Sequence, residues 1–353
     1  MTETVRYGIV VPTIGRPSLG VLLRALDQAA AAGASPEMVV VVDDRTGDGS
    51  PPLDVGATAL DLQVVRSGGK GPAAARNRGW RALPADLPWV VFLDDDVIVS
   101  SDWCERLQAD LALTDTPGRA QVGASSAVLQ VPRVPGRRPT DDERRTIALD
   151  GARWITADMA YRRDVLDALD GFDERFPRAY REDSDLALRM VSSGWTVAQG
   201  RRVSIHPLKR GPWWLSVRSQ SGNADDSLLR AKFGPHWRSR IGEGGGRMGR
   251  HVVASAAVLT LVAAVLHAVA HRPGRIRGVA LGSGLVWAAL TAEFATRRIR
   301  SGPPTPKEIA IMIITSAVIP PVAVYHRADA AWRWRSVPLW RPHADTCSSD
   351  QSC

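Results

Sequence analysis

The apolar run Trp89-Val90-Val91-Phe92-Leu93 ends in three adjacent aspartates, Asp94-Asp95-Asp96. A short apolar run with Pro84 and Pro88 just upstream reads as a buried β-strand. Three like charges at its end repel one another unless something cationic neutralises them. Open α/β sheets bind ligands outside the carboxyl ends of their strands. Hard oxygen donors suit Mg or Mn, and Mg takes only one or two carboxylates together with phosphate oxygens. The triplet therefore predicts a metal–diphosphate site at the C-terminal edge of a sheet.

The flanking sequence supplies that sheet. Residues 7–11, 38–42, 62–65 and 121–126 are further β-rich runs. Helical segments separate them: Leu19, Leu22, Leu23 and Leu26 after a capping Ser18, residues 73–82 after the turn Gly68-Gly69-Lys70-Gly71, and residues 102–113. Strands alternating with helices predict an α/β domain with a mostly parallel sheet and right-handed crossovers. Residues 155–161, helices near 163–169 and 183–193, short strands to His206 and a last helix over 217–233 complete it. Residues 132–145, rich in Pro and Arg, read as a mobile loop.

The chain's net charge of +8 lies wholly in its last third: residues 236–353 carry 15 basic and 6 acidic side chains. Three apolar runs occupy that third, 252–270, 278–295 and 309–325. Each approaches the roughly 20 residues a bilayer requires. Basic residues flank these runs (Arg272, Arg275, Arg277, Arg297, Arg298 and Arg300), which fits a membrane surface better than nucleic acid. Their alanine content, with His267 and Glu293, would also suit a soluble helical domain. Gly278 and Gly282 form a small-xxx-small pair suited to helix packing. Trp332, Trp334 and Trp340 alternate with Arg333, Arg335 and Arg341 as in an interfacial belt. Pro320-Pro321 is expected to kink or break the third run. The expected organisation is a domain over 1–235, a basic Gly-rich linker over 236–251, two to three transmembrane or re-entrant helices over 252–326, and a Trp-rich interfacial segment with a flexible tail over 327–353. The N-terminus reads without a signal-peptide core, so the first domain is expected to stay in the cytoplasm. Cys104, Cys347 and Cys353 form no metal-binding pattern; Cys104 is expected to pack as a small apolar residue.

Three further motifs carry chemistry. Asp43-Asp44 ends the second strand, where a carboxylate either accepts from a base or ribose or caps the next turn. Gly71-Pro-Ala-Ala-Ala-Arg76-Asn77-Arg78-Gly79 opens a helix whose small residues and N-terminus suit phosphate, without Walker spacing. Glu182-Asp183 begins a helix, where acids either cap or act as a base.

The order of motifs resembles the family 2 glycosyltransferases with their GT-A nucleotide-sugar fold. The resemblance rests on Val10-Val11-Pro12-Thr13, Val42-Asp43-Asp44, Ala75-Arg76-Asn77 within 71–79, Phe92-Leu93-Asp94-Asp95-Asp96, Gly171-Phe172-Asp173-Glu174-Arg175-Phe176, and Glu182-Asp183 with Leu186 and Arg189. It covers residues 6–234. It implies that Pro12, Thr13 and Asp43 border the nucleotide base, that Arg76, Asn77, Asp94 and Asp95 face the donor, and that Asp96 with Asp94 serves a divalent metal, Mg or Mn. It implies that Asp183 is the catalytic base, with Glu182 beside it. His206 is a further metal candidate; Asp158, Asp173 and Trp213 are acceptor candidates. A basic multi-helix tail resembles that of membrane-bound bacterial members.

The expected reaction moves a sugar from a nucleoside diphosphate to a hydroxyl of a glycan or lipid-linked acceptor, with inversion, beside membrane lipids and without nucleic acid. Two other readings fit parts of the sequence. Leu93–Asp96 with Val97 and Ile98 nearly matches the signature of haloacid-dehalogenase-type phosphatases, although three strands precede it. A non-catalytic, membrane-tethered nucleotide-sugar-binding module would keep the fold without turnover.

Overall fold

The computed structural model describes residues 4–47, 49–114, 121–152, 154–271 and 276–342. The chain divides into two compact units. The first comprises residues 1–132, 148–208 and 340–353, and the second 133–147 and 209–339.

The first unit is built on one eight-stranded sheet in the order β3-β2-β1-β4-β7-β6-β8-β5. In chain order its elements are β1 (Tyr7–Thr13), α1 (Ser18–Ala31), β2 (Met38–Asp43), β3 (Leu62–Arg66), α2 (Pro72–Ala82), β4 (Trp89–Leu93), β5 (Ile98–Val99), α3 (Trp103–Ala112) and β6 (Val122–Gln130). After α4 (Asp141–Ile147), which belongs to the second unit, come β7 (Asp158–Arg162), α5 (Arg163–Leu169), α6 (Glu182–Ser192) and β8 (Thr196–Ile205). β1, β2, β3 and β4 are mutually parallel, whereas β7 runs antiparallel to both β4 and β6. This reversal brings the start of β7 to the carboxyl end of β4, where Asp158 pairs with Leu93.

β1, β2 and β4 are apolar almost throughout because both sheet faces are covered there. Alternate residues feed two cores. Trp89, Val91 and Leu93 join Leu19, Leu22, Trp103 and Leu107 on one side. Val90 and Phe92 join Trp80, Tyr161, Phe172 and Leu186 on the other. Cys104 is buried in the first cluster, as expected; Cys347 and Cys353 lie outside the described residues. α2 approaches the sheet closely at Gly79, where a Cβ would meet Val10 Cγ1 at 2.3 Å and Val42 Cγ2 at 2.8 Å. Ser18 is the first residue of α1 and makes no capping hydrogen bond there. Trp340 packs against the second core of this unit.

The second unit holds α4, α7 (Leu215–Arg218), α8 (Asn223–Phe233), α9 (Trp237–Arg240), α10 (Met248–Ala270), α11 (Ile276–Ser301) and α12 (Pro306–Arg333). Here the structure departs from several expectations. Residues 141–147 form a helix, because Arg137 and the Thr140 amide hold Glu143 while Arg298 and Arg144 hold Asp141. Residues 209–235 group with the apolar helices, and part of the expected linker is the helix α9. α12 continues through Pro320 and Pro321 without a break. A Cβ added at Gly278 or Gly282 would meet nothing within 4 Å, so no close helix approach is built on them among the described residues. α10, α11 and α12 are each long and apolar enough to cross a membrane, with mean hydropathies of 2.4, 1.4 and 1.8 in their most apolar windows. Leu259, Leu266, Leu281 and Leu285 stand exposed on two of them, as lipid-facing residues do.

Candidate active site

The acidic triplet leaves β4 in three directions. Asp94, the most exposed of the three, accepts from Arg76 Nη2 at 2.9 Å. Asp95 turns inward, accepting from the Thr13 hydroxyl at 2.6 Å and from Arg16 Nη1 at 2.8 Å. Burial pushes its carboxyl up against the pull of those two partners. Asp96 is buried, with Arg16 Nη1 at 3.3 Å from Oδ2 and His206 Nε2 at 3.5 Å from Oδ1. The mutual repulsion anticipated from the sequence is thus met by two cations, Arg76 at Asp94 and Arg16 at Asp95 and Asp96.

Arg76 is the centre of the arrangement. It is buried on α2, donates from Nη1 to Glu182 Oε1 at 2.7 Å, and lies over the Phe172 ring at 5.5 Å. One guanidinium therefore ties the end of β4 to the start of α6. Arg181, in the left-handed region at φ 78°, turns the chain sharply into that helix. Glu182 is buried, and its Oε2 has no hydrogen-bond partner among the described residues. Burial and the adjacent Asp183 push its carboxyl up to about 7. Asp183 is half-buried; its Oδ1 accepts from the Ser184 amide at 2.6 Å, and Oδ2 makes no hydrogen bond among the described residues. Burial raises its carboxyl above the ordinary aspartate value, although Arg76 opposes the shift. A half-exposed carboxylate with a free oxygen and a raised affinity for protons is suited to accept one.

His206 Nδ1 lies 3.0 Å from the Pro207 carbonyl oxygen. That oxygen can only accept, so Nδ1–H donates to it and Nε2 faces Asp96. A ring nitrogen and a carboxylate oxygen 3.5 Å apart are two donor atoms suited to a shared divalent ion. Among the described residues no group of three His, Cys, Asp or Glu side chains gathers to hold a metal. A hard divalent ion that keeps most of its coordination for phosphate oxygens needs no more than such a pair.

At the end of β2, Asp43 is buried and accepts from Arg45 at 2.8 Å and 2.7 Å, with Arg66 Nε at 3.5 Å. Arg45 holds its carboxyl below the ordinary aspartate value. Thr13 pairs with Asp43 across β1 and β2, and Pro12 precedes it in the same register. Asp44 accepts from Ser67 Oγ at 2.6 Å and from the Gly71 amide at 3.0 Å, fixing the glycine turn against β2.

Several sequence-based assignments change. Arg76, placed at the donor, is a buried bridge between carboxylates. Asn77 is a clamp: Nδ2 donates to Phe172 O at 2.8 Å and Glu174 Oε1 at 2.9 Å, while Oδ1 accepts from the Phe172 amide and Trp80 Nε1. Asp95 positions Thr13 and Arg16 from a buried site and does not stand open to a donor. Asp158 is no acceptor group. Its Oδ1 accepts from Arg202 Nε at 2.8 Å, and its Oδ2 from Trp103 Nε1 at 2.7 Å and from Ser204 Oγ. Arg202, fully buried, also reaches Asp110 at 3.1 Å. Breaking a buried pair of this kind typically costs about 3–5 kcal/mol. Asp158→Ala is therefore expected to lower thermal and denaturant stability by that amount; a loss below about 1 kcal/mol would contradict the assignment. Asp173 is engaged by its neighbour Arg175 at 2.7 Å. Trp213 belongs to the second unit, where it is exposed and edge-on to Trp214 at 5.6 Å. The sequence reading passed over Arg16 and Arg202. The first was legible as a cation three residues after Thr13; the second had no signal, since an arginine on an edge-like polar strand reads as solvated.

Residues 8–169 match the model of glycosyl transferase family 2. Residues 8–169 thus form a glycosyl transferase family 2 domain. The chain is 27% identical over 243 residues to the succinoglycan biosynthesis protein ExoM of Rhizobium meliloti, covering 65% of this chain and 77% of that protein. Its structure is similar to that of the mannosyltransferase PcManGT from Pyrobaculum calidifontis, solved in complex with GDP-Man and Mn2+. The TM-score is 0.53 at 19% identity, with 93% of this chain and 88% of that one covered. The fold is thus GT-A, and the phosphatase reading of the triplet is excluded.

Proposed function

We propose that this glycosyltransferase moves a sugar from a nucleoside diphosphate donor to a hydroxyl of a glycan or lipid-linked acceptor, inverting the anomeric carbon, at the cytoplasmic face of the membrane. The observation that carries this reading is the Asp94–Arg76–Glu182 bridge, which fixes the base-bearing turn of α6 to the acidic end of β4. Asp183 takes the proton of the attacking hydroxyl from its free oxygen, and Glu182 holds Arg76 in place. One base and an in-line displacement give inversion. Thr13, Pro12 and Asp43 border the base, with Arg45 yielding Asp43 to it. Asp96 and His206, with Asp94, would hold a divalent metal, which offsets the charge growing on the leaving diphosphate. Mn2+ and GDP-Man in the similar mannosyltransferase support a metal and a nucleotide sugar here. The polysaccharide role of the similar succinoglycan protein and the three apolar helices support a cell-envelope acceptor at the membrane.

The test is a thermal-shift panel of nucleotide sugars with Mn2+ on the full chain. One donor is expected to stabilise it by RT ln(1 + [L]/Kd), about 2.7 kcal/mol at a hundredfold excess over Kd. Asp96→Ala is expected to abolish the metal-dependent part of that shift. A donor shift indifferent to chelation would remove the metal from the reading, and turnover of the identified donor separates an enzyme from a binding module.

A further inference from the structure

Beside α2, at the carboxyl end of β3, a cavity of about 340 Å³ is lined by Arg66, Ser67, Lys70, Ala74, Arg78, Arg81 and Glu174. Four of these seven residues are cations and one is an acid. The acid is already engaged, since Glu174 Oε1 accepts from Asn77. Arg66 and Arg81 are partly committed, to Ser50 O at 2.7 Å and to Asp170 at 2.6 Å. Lys70 and Arg78 are exposed and make no ion pair or hydrogen bond among the described residues. Helical spacing explains how they converge: Ala74, Arg78 and Arg81 lie three and four residues apart on one face of α2, with Lys70 in the turn just before it. The floor is the small residue Ala74, which leaves room between the cationic arms.

Like charges on one helix face are destabilising in isolation. Here the fold could have relieved them with the acids abundant elsewhere in this unit, but the cavity holds only one. Guanidinium forks match tetrahedral oxyanions through paired N–H donors, and lysine adds a point charge. We propose that this cavity binds a phosphate or phosphodiester group, at a site separate from the metal–diphosphate site of the triplet. The acidic triplet needs a cation to hold phosphate; this cavity supplies its own positive charge and needs none. Its volume exceeds a single orthophosphate and suits a pyrophosphate or the phosphoglycerol part of an anionic lipid.

The experiment uses the full chain in nanodiscs, with EDTA present so that the triplet cannot recruit phosphate through a metal. In one arm the discs are phosphatidylcholine and inorganic pyrophosphate is titrated while thermal unfolding is followed. In the other, one-third of the lipid is phosphatidylglycerol and no phosphate is added. Lys70→Glu/Arg78→Glu is compared with the wild type in both. A rise in midpoint in the pyrophosphate arm, with affinity weakened at least tenfold in the variant, identifies a soluble phosphate ligand. A rise confined to the phosphatidylglycerol arm and lost in the variant identifies a lipid headgroup. Both chains should fold alike in phosphatidylcholine, because neither side chain makes a structural contact; Lys70→Gln/Arg78→Gln serves where charge reversal lowers expression. Equal responses of variant and wild type, or no response in either arm, would overturn the proposal. So would a donor KM raised tenfold in the variant, since the cavity would then be part of the donor site.

Discussion

Asp183→Asn is expected to lower kcat by about 10²–10⁴-fold while leaving donor binding near the wild-type value, because a general base contributes on that scale and the amide is nearly isosteric. Residual activity above about 10% of wild type would remove Asp183 from the role of base, given that range. The environment of the pair adds a pH signature. Burial raises the proton affinity of both Asp183 and Glu182, Glu182 to about 7. A base must be ionised to act, so activity should fall on the acid side at a pH above the ordinary aspartate range. Stability responds in the opposite sense. A carboxyl whose pKa is raised by folding favours the native state while protonated, and that contribution is lost as pH rises through the folded value. The enzyme should therefore gain activity and lose some stability over the same interval. Glu182→Gln should flatten the stability profile without abolishing transfer, whereas Asp183→Asn should remove the activity limb. Rate–pH profiles and thermal unfolding between pH 4.5 and about 8 measure both, spanning the ordinary and raised values.

The strands were legible because continuous apolar runs bounded by turn residues have few other uses, and the helices because leucines recur at helical spacing. The antiparallel β7 was not. Its residues resemble any other strand, and only the pairing of Asp158 with Leu93 reveals its direction. Placement of the acidic motifs was legible for the same reason as the sheet: Asp43, Asp94 and Asp183 each follow or begin a recognisable element. Partnership was not legible. Asn77, Asp158 and Arg76 have the polarity of ligand-binding groups, yet each spends it inside the protein. Which partner a side chain takes depends on contacts with residues up to 106 positions away, as between Arg76 and Glu182. Residues 132–140 are irregular, as expected of a loop, but 141–145 look solvated only in isolation; Glu143 and Asp141 find arginines that make a helix of residues 141–147. Residues 209–235 were assigned to the catalytic domain because local periodicity reports that a helix is amphipathic, but not which unit its apolar face joins.

Arg76→Met should strongly destabilise the catalytic unit. The side chain keeps its length and apolar stem, but Asp94 and Glu182 lose their shared cation, and Asp183 loses the charge that opposes its raised proton affinity. Removing one member of a buried charge pair typically costs about 3–5 kcal/mol, because the remaining charge is left uncompensated. The cost should depend on pH. With the guanidinium gone, the two carboxyls of α6 favour their protonated forms still more strongly, so the loss should be smaller at pH 5 than at pH 8. Pairing the change with Glu182→Gln removes one of the stranded charges and should recover a substantial share of the stability, a coupling that a double-mutant cycle reads directly. Activity should not return with it. The bridge is what fixes the α6 turn relative to the end of β4, and misplacing a reacting group by 1 Å can cost about a hundredfold in rate. A double variant as stable as the wild type and equally active would mean that Arg76 only neutralises charge. Recovery of stability without recovery of kcat would show that it also sets the geometry in which Asp183 meets the attacking hydroxyl.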